Sequence, residues 1–94
     1  MGDPGADPTI GRLRGEISEA DRAVLDAVNR RLELVVELRR YKASQGIDFV
    51  DPEQERRLIE RLVEANPGPV SNDGLRELFG HLLELTKREV QAPD

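Results

Sequence analysis

An all-α chain of three helices, the first of them very long, is the fold class that this sequence predicts. Three observations lead to it. Residues 13 to about 45 contain no proline and a single early glycine, Gly15, which favours one uninterrupted helix. Apolar residues recur at helical spacing in that run and in two later ones. Turn-forming residues separate the runs: Gly46, then Asn66-Pro67-Gly68-Pro69. No strand pattern, repeat or low-complexity tract is present.

The first helix, at about 1.5 Å per residue, is expected to be roughly 45–50 Å long. A compact domain of this size has a radius of gyration of only about 12 Å. The helix overshoots its own domain, and a partner chain is the simplest cover for the excess. With Ile17 as heptad position a, the a positions are Ile17, Val24, Arg31 and Leu38, and the d positions are Ala20, Ala27, Leu34 and Tyr41. Tyr41 is expected in the core. Arg31 interrupts this stripe, and Lys42 lies on its edge. An unpaired buried charge costs several kcal/mol, so such groups need a partner or a ligand. The two cations are eleven residues apart and return to nearly the same face. Their axial separation is about 16 Å, so two long side chains leaning inward can grip a small anion. The alternative is that both snorkel outward or pair with acids of another helix.

Residues 1–10, rich in Gly, Asp and Pro, read as a flexible lead-in, followed by a helical domain over 11–91 and a frayed tail at 92–94. Gly46 suits the C′ position of the first helix. The linker 47–50 is partly apolar and is expected to pack against the bundle. Asp51 is a good N-cap for the second helix, Pro52 fits N1, and Gln54 completes a capping-box pattern. Leu58, Ile59, Leu62 and Val63 form its apolar face. Ser71 or Asn72 caps the third helix, whose stripe is Leu75, Leu78, Phe79, Leu82, Leu85 or Thr86, and Val90.

Composition narrows the function classes. Of 94 residues, 37% are hydrophobic and 35% charged, which suits a thin helical core helped by association. Three aromatics, no tryptophan and a formal charge of −5 argue against nucleic-acid binding. Cysteine is absent, so neither a disulfide framework nor a thiolate metal site is available. No apolar run approaches a membrane span, and the N-terminus lacks the features of a signal peptide. A cytoplasmic protein is expected.

Asp51 and Glu55, four residues apart, share a face at the start of the second helix. They are either a cap followed by a solvated acid or a carboxylate pair for a hydroxyl or cation. Thr86 either bonds back to its own helix or offers its hydroxyl to a ligand. His81, the one histidine, has no second ligand at metal spacing. No nucleophile–base pair and no Gly-rich phosphate loop stands out. An enzyme built this way works by orienting an anion and stabilising transition-state charge.

The run L-R-x-x-I-x-x-x-D from Leu13, then Arg31, Lys42 and D-x-x-x-E-R at Asp51 to Arg56, resembles the all-helical AroQ-class chorismate mutases. The match is ungapped from Leu13 to about Leu62 and looser over 77–86. The resemblance implies an intertwined helical homodimer that rearranges the dicarboxylate chorismate to prephenate, without cofactor or covalent intermediate. It further implies that Arg31 binds one substrate carboxylate and that Arg14 of the other subunit binds a carboxylate. Lys42 would donate to the ether oxygen, and Asp51 and Glu55 would hold the ring hydroxyl. Thr86 falls where the family often has a small hydroxyl residue. Spacing agrees on one point: Arg14 is about 25 Å along the helix axis from Arg31, too far to share its own chain's Arg31–Lys42 site.

Two departures stand out. Val90 lies where well-studied members carry Gln or Glu beside Lys42, and Gln54 lies where some carry arginine. Gln91 is about 100° around the helix from Val90 and is a poor substitute. Loss of one preorganised donor typically costs about 10²–10³-fold. This implies a slow mutase, an activating partner enzyme of the same pathway, as some family members have, or a related substrate. 4-Amino-4-deoxychorismate mutases and isochorismate-pyruvate lyases share the scaffold. A non-catalytic dimerisation module, with its in-stripe charges fixing register, is the remaining alternative.

Overall fold

Asp7 starts the first helix. Its carboxylate accepts the backbone N–H groups of Thr9 at 2.7 Å and Ile10 at 3.2 Å, and Pro8 fills the first helical position, where no N–H is needed. The computed structural model describes residues 7–91, which form helices α1 (Pro8–Ser44), α2 (Pro52–Ala65) and α3 (Asn72–Gln91). No strand occurs among the described residues. The lead-in expected over 1–10 thus ends early, because an Asp-Pro pair caps a helix whatever the composition around it. The frayed tail expected at 92–94 lies outside the described residues, as do residues 1–6.

The other end of α1 closes as expected on Gly46, with φ +68°. Ile47 N–H donates to the Lys42 carbonyl at 2.9 Å and Gly46 N–H to that of Ala43 at 3.3 Å. These two bonds are the paired closure of a Schellman motif, which requires a left-handed residue at that glycine. Of the linker, only Phe49 is half-buried; Ile47 and Val50 are exposed, contrary to the expected packing. Phe49 is held by Arg39, whose guanidinium lies 5.9 Å from the ring centroid.

At α2, the Asp51 carboxylate accepts Gln54 N–H at 3.1 Å and Pro52 takes the first turn. Acidic residues Glu53 and Glu55 complement the positive end of the helix. Asn66 ends it and organises the turn that follows. Its side chain accepts Gly68 N–H at 3.0 Å and donates to the Val70 carbonyl at 2.8 Å and to Asn72 at 3.1 Å. Ser71 then caps α3, accepting Gly74 N–H at 3.0 Å.

The chain divides into two compact units, one up to Glu33 and one from Leu34 onward. In the first, Ile10, Val28, Arg31 and Leu32 are half-buried, while Leu13, Ile17, Val24 and Leu25 are exposed. In the second, α2 packs on α3. Leu75, Thr86 and Val90 are buried and fall within about 60° of one another around the α3 axis. Leu78, expected in this stripe, is 60% exposed, because it lies about 60° to the other side of Leu75. The α1 residues of this unit show two faces. Val35, Val36, Arg39 and Lys42 are half-buried, whereas Leu34, Leu38 and Tyr41 are exposed. Tyr41, expected in the core, is 61% exposed. No residue of α1 is fully buried. No helix among the described residues is long and apolar enough to cross a membrane.

At φ +68° Gly46 occupies a conformation that costs a residue with a Cβ about 1–2 kcal/mol. A Cβ there meets nothing within 4 Å, so no packing change accompanies that cost. Gly46→Ala is expected to lose about 1–2 kcal/mol in urea denaturation at fixed protein concentration, with an unchanged m-value. An unaltered midpoint contradicts the left-handed closure.

Candidate functional site

Four of the six residues singled out in the sequence, Lys42, Asp51, Glu55 and Thr86, belong to the unit that begins at Leu34; Arg14 and Arg31 belong to the other. Lys42 sits in the last turn of α1, where its charge complements the carbonyl end of the helix. It is half-buried, and its Nζ donates to the Phe49 carbonyl at 3.3 Å. Phe49 is the residue beneath the Arg39 guanidinium. Arg39 also donates through Nη1 to the Val90 carbonyl. That carbonyl is one of the last four of α3, which have no partner within the helix. Arg39 therefore ties α1, the linker and the end of α3 together at one guanidinium.

Asp51 is exposed and acts as the cap of α2, as the simpler sequence reading expects. One of its oxygens takes Gln54 N–H, and its backbone carbonyl accepts Glu55 N–H at 3.1 Å. Glu55 is no solvated acid. It is half-buried, and the Lys87 ammonium approaches its two oxygens at 3.1 and 3.3 Å. The two side chains retain 27% (Lys87) and 29% (Glu55) exposure. Arg56 with Glu53 and Glu60, by contrast, is a helix-surface cluster in which each side chain stays at least half exposed. Lys87 also has Glu84 at 3.7 Å, one turn back on α3.

Thr86 is buried, with its hydroxyl donated to the Leu82 carbonyl at 2.7 Å. This is the back-bonded arrangement. Val90, one turn on, is buried as well. Arg14 is exposed and Arg31 half-buried. His81 is exposed, with Glu77 4.0 Å away along the helix. Among the described residues, no group of three or more histidines or acids is placed to hold a metal.

Of the residues brought together here, sequence reasoning missed Lys87, Arg39 and the Phe49 carbonyl. Lys87 and Glu55 are 32 positions apart, so no local pattern joins them. The available signal was weaker: a lysine directly after the buried Thr86, at the edge of an apolar stripe, near an acid needing a partner.

What the arrangement offers chemically is an oriented set of charges. A cation projects from the end of α1. Two carboxylates lie one turn apart on α2, the inner one braced by a cation from α3. The Glu55 hydrogen bond holds the Lys87 ammonium above the usual lysine pKa; burial opposes the shift, and the charges of Glu55 and Glu84 add to it.

Comparison with known proteins gives the family and the fold. Residues 13–91 match the family model described as chorismate mutase type II. Two structures of chorismate mutase from Thermus thermophilus superpose on the chain. Form I gives a TM-score of 0.81 at 29% identity, covering 83% of this chain and 98% of that one. Form II gives 0.85 at 28% identity, covering 92% and 98%. A 4-amino-4-deoxychorismate mutase of Streptomyces venezuelae is 42% identical over 41 residues, which span 44% of this chain and only 40% of that protein.

The raised Lys87 pKa sets the direction of a stability effect. A lysine whose pKa rises on folding contributes stability that is complete below its unfolded value, about 10.4, and is lost as pH climbs through the higher folded value. The stability difference between wild type and Lys87→Met is therefore expected to be flat from about pH 7 to 9 and to shrink above about pH 10.4. Urea denaturation across that range checks it; a difference already shrinking near pH 8 contradicts the ion pair.

Proposed function

Because the chain belongs to the chorismate mutase type II family, we propose that it converts chorismate to prephenate in the supply of aromatic amino acids, as a cytoplasmic homodimer. The observation that carries this reading is the coincidence of the family match over 13–91 with Arg31, Lys42, Asp51 and Glu55 at the spacings that the resemblance requires.

The roles follow from charge. Arg31 binds one carboxylate of the substrate, and Arg14, supplied by the partner chain, binds a carboxylate as well. Bidentate guanidinium–carboxylate pairing fixes orientation as well as charge. Lys42 donates to the ether oxygen, where negative charge builds as its bond to carbon breaks. A preorganised cation there stabilises the transition state more than the ground state. Asp51 and Glu55 hold the ring hydroxyl, and Thr86 lines the same end through its oxygen. The rearrangement is intramolecular, so positioning and charge stabilisation are the whole of the protein's contribution. Val90 brings no side-chain donor to the ether oxygen, which fits a slow enzyme or one completed by a docked partner enzyme of the same pathway.

The exposed apolar side of α1 supports the dimer. Ile17 and Val24 in one unit and Leu34, Leu38 and Tyr41 in the other are apolar surface that a second copy would cover. A second reading, a mutase acting on 4-amino-4-deoxychorismate, is favoured by the Streptomyces relative, whose similarity spans less than half of either protein.

Loss of chorismate absorbance with purified protein, followed by identification of the product, tests the activity. Arg31→Ala is expected to reduce kcat/KM by about 10²-fold or more while helicity is retained. A folded Arg31→Ala protein within about threefold of wild type overturns the assignment of this site. The shared site has its own measurement. Arg14→Ala and Lys42→Ala should each be nearly inactive. When the two are unfolded, mixed equally and refolded, about half the dimers are mixed, and each mixed dimer has one site with both lesions and one with neither. Activity is then expected to return to about a quarter of wild type. A mixture no more active than its parents, with mixed dimers verified by mass, contradicts the sharing.

A further inference from the structure

We infer that Lys87 is a specificity-determining residue of this site: its ammonium, braced against Glu55 from α3, selects a substrate ring bearing a hydroxyl over one bearing an ammonium. The inference rests on the proposed role of Glu55 in holding the ring substituent. It adds a residue to which the sequence pattern assigns no role, and it decides between the two substrates considered above.

The geometry carries it. Lys87 Nζ lies 3.1 and 3.3 Å from the two Glu55 oxygens. A carboxylate has about four acceptor positions, so Glu55 keeps capacity for a further donor from the substrate. Such a donor must then sit within a few ångströms of the lysine nitrogen. For a neutral hydroxyl this is harmless. For a substrate ammonium, two unit positive charges share one carboxylate at partly buried depth, where the effective dielectric is well below that of water. The other charges nearby do not cancel this. Glu84 faces Lys87 from α3 at 3.7 Å but is mostly exposed and screened. Asp51, one turn back on α2, has one oxygen committed to Gln54 N–H. The acid pair that would otherwise welcome a cation is thus half neutralised before substrate arrives.

The experiment compares kcat/KM for chorismate and 4-amino-4-deoxychorismate at pH 7.5 in wild type, Lys87→Gln and Lys87→Arg. Wild type is expected to prefer chorismate. Lys87→Gln is expected to shift the ratio toward the amino substrate by about tenfold or more, and Lys87→Arg, which keeps the charge, to hold it near the wild-type value. A Lys87→Gln protein that slows both substrates equally overturns the inference, because a merely structural pair changes rate without changing preference. Should Lys87→Gln lose its helical circular dichroism, the wild-type ratio still decides: preference for the amino substrate overturns the inference, and preference for chorismate with the ratio kept by Lys87→Arg supports it. If wild type turns over neither compound, the proposed function itself fails, and the inference with it.

Discussion

Leu34, Leu38 and Tyr41 stand exposed along one side of α1, while Val35, Val36, Arg39 and Lys42 on the other side are half-buried. An isolated helix of ordinary composition is marginal in water, and most helix stability in proteins comes from packing an apolar face. Here the longest helix of the chain has no fully buried residue. Its persistence as one 37-residue element depends on cover for that face, and Ile17 and Val24 face the same requirement nearer the N-terminus. In the proposed homodimer, folding and assembly would be one problem for this sequence. Arg14, Arg31 and Lys42, three of the residues proposed to bind substrate, sit on this same helix, so in the proposed homodimer the stability of the site would be linked to that of the assembly by mass action.

Charge is the second constraint. The candidate site is built from cations and carboxylates that are only partly buried, which keeps their desolvation cost modest. Three of them are held by a neighbour in the fold: Lys42 by the Phe49 carbonyl, Asp51 by the first turn of α2, Glu55 by Lys87. Such supports restrict the conformations of the charged groups before a ligand arrives, which is the condition for electrostatic stabilisation without reorganisation. Thr86 belongs to the same scheme. Its hydroxyl donates to the Leu82 carbonyl, which fixes the side chain against its own helix.

What the sequence disclosed, and what it did not, follows the range of each interaction. The caps at Asp51 and Gly46 were legible because capping chemistry lies within a few residues. The start of α1 was equally local, yet composition drew attention away from the Asp7–Pro8 pair. Periodicity found the apolar stripes of α1 and α3 but could not say which of their residues the chain itself covers, so Tyr41 and Leu78 were expected inside and are outside. Arg31, Lys42, Asp51 and Glu55 stood out by residue type and spacing, and their roles came from resemblance rather than from spacing. Lys87 was invisible: its partner lies on another helix, and only the packing of α2 on α3 brings the two together.

The guanidinium of Arg39 reaches the Val90 carbonyl, in the last turn of α3, and covers Phe49. For anyone engineering this scaffold, the last turn of α3 is therefore not a neutral place for substitutions. A substitution that shifts this turn would move the carbonyl that Arg39 holds. The linker that presents Phe49 to Lys42 would feel that change without any substitution near it.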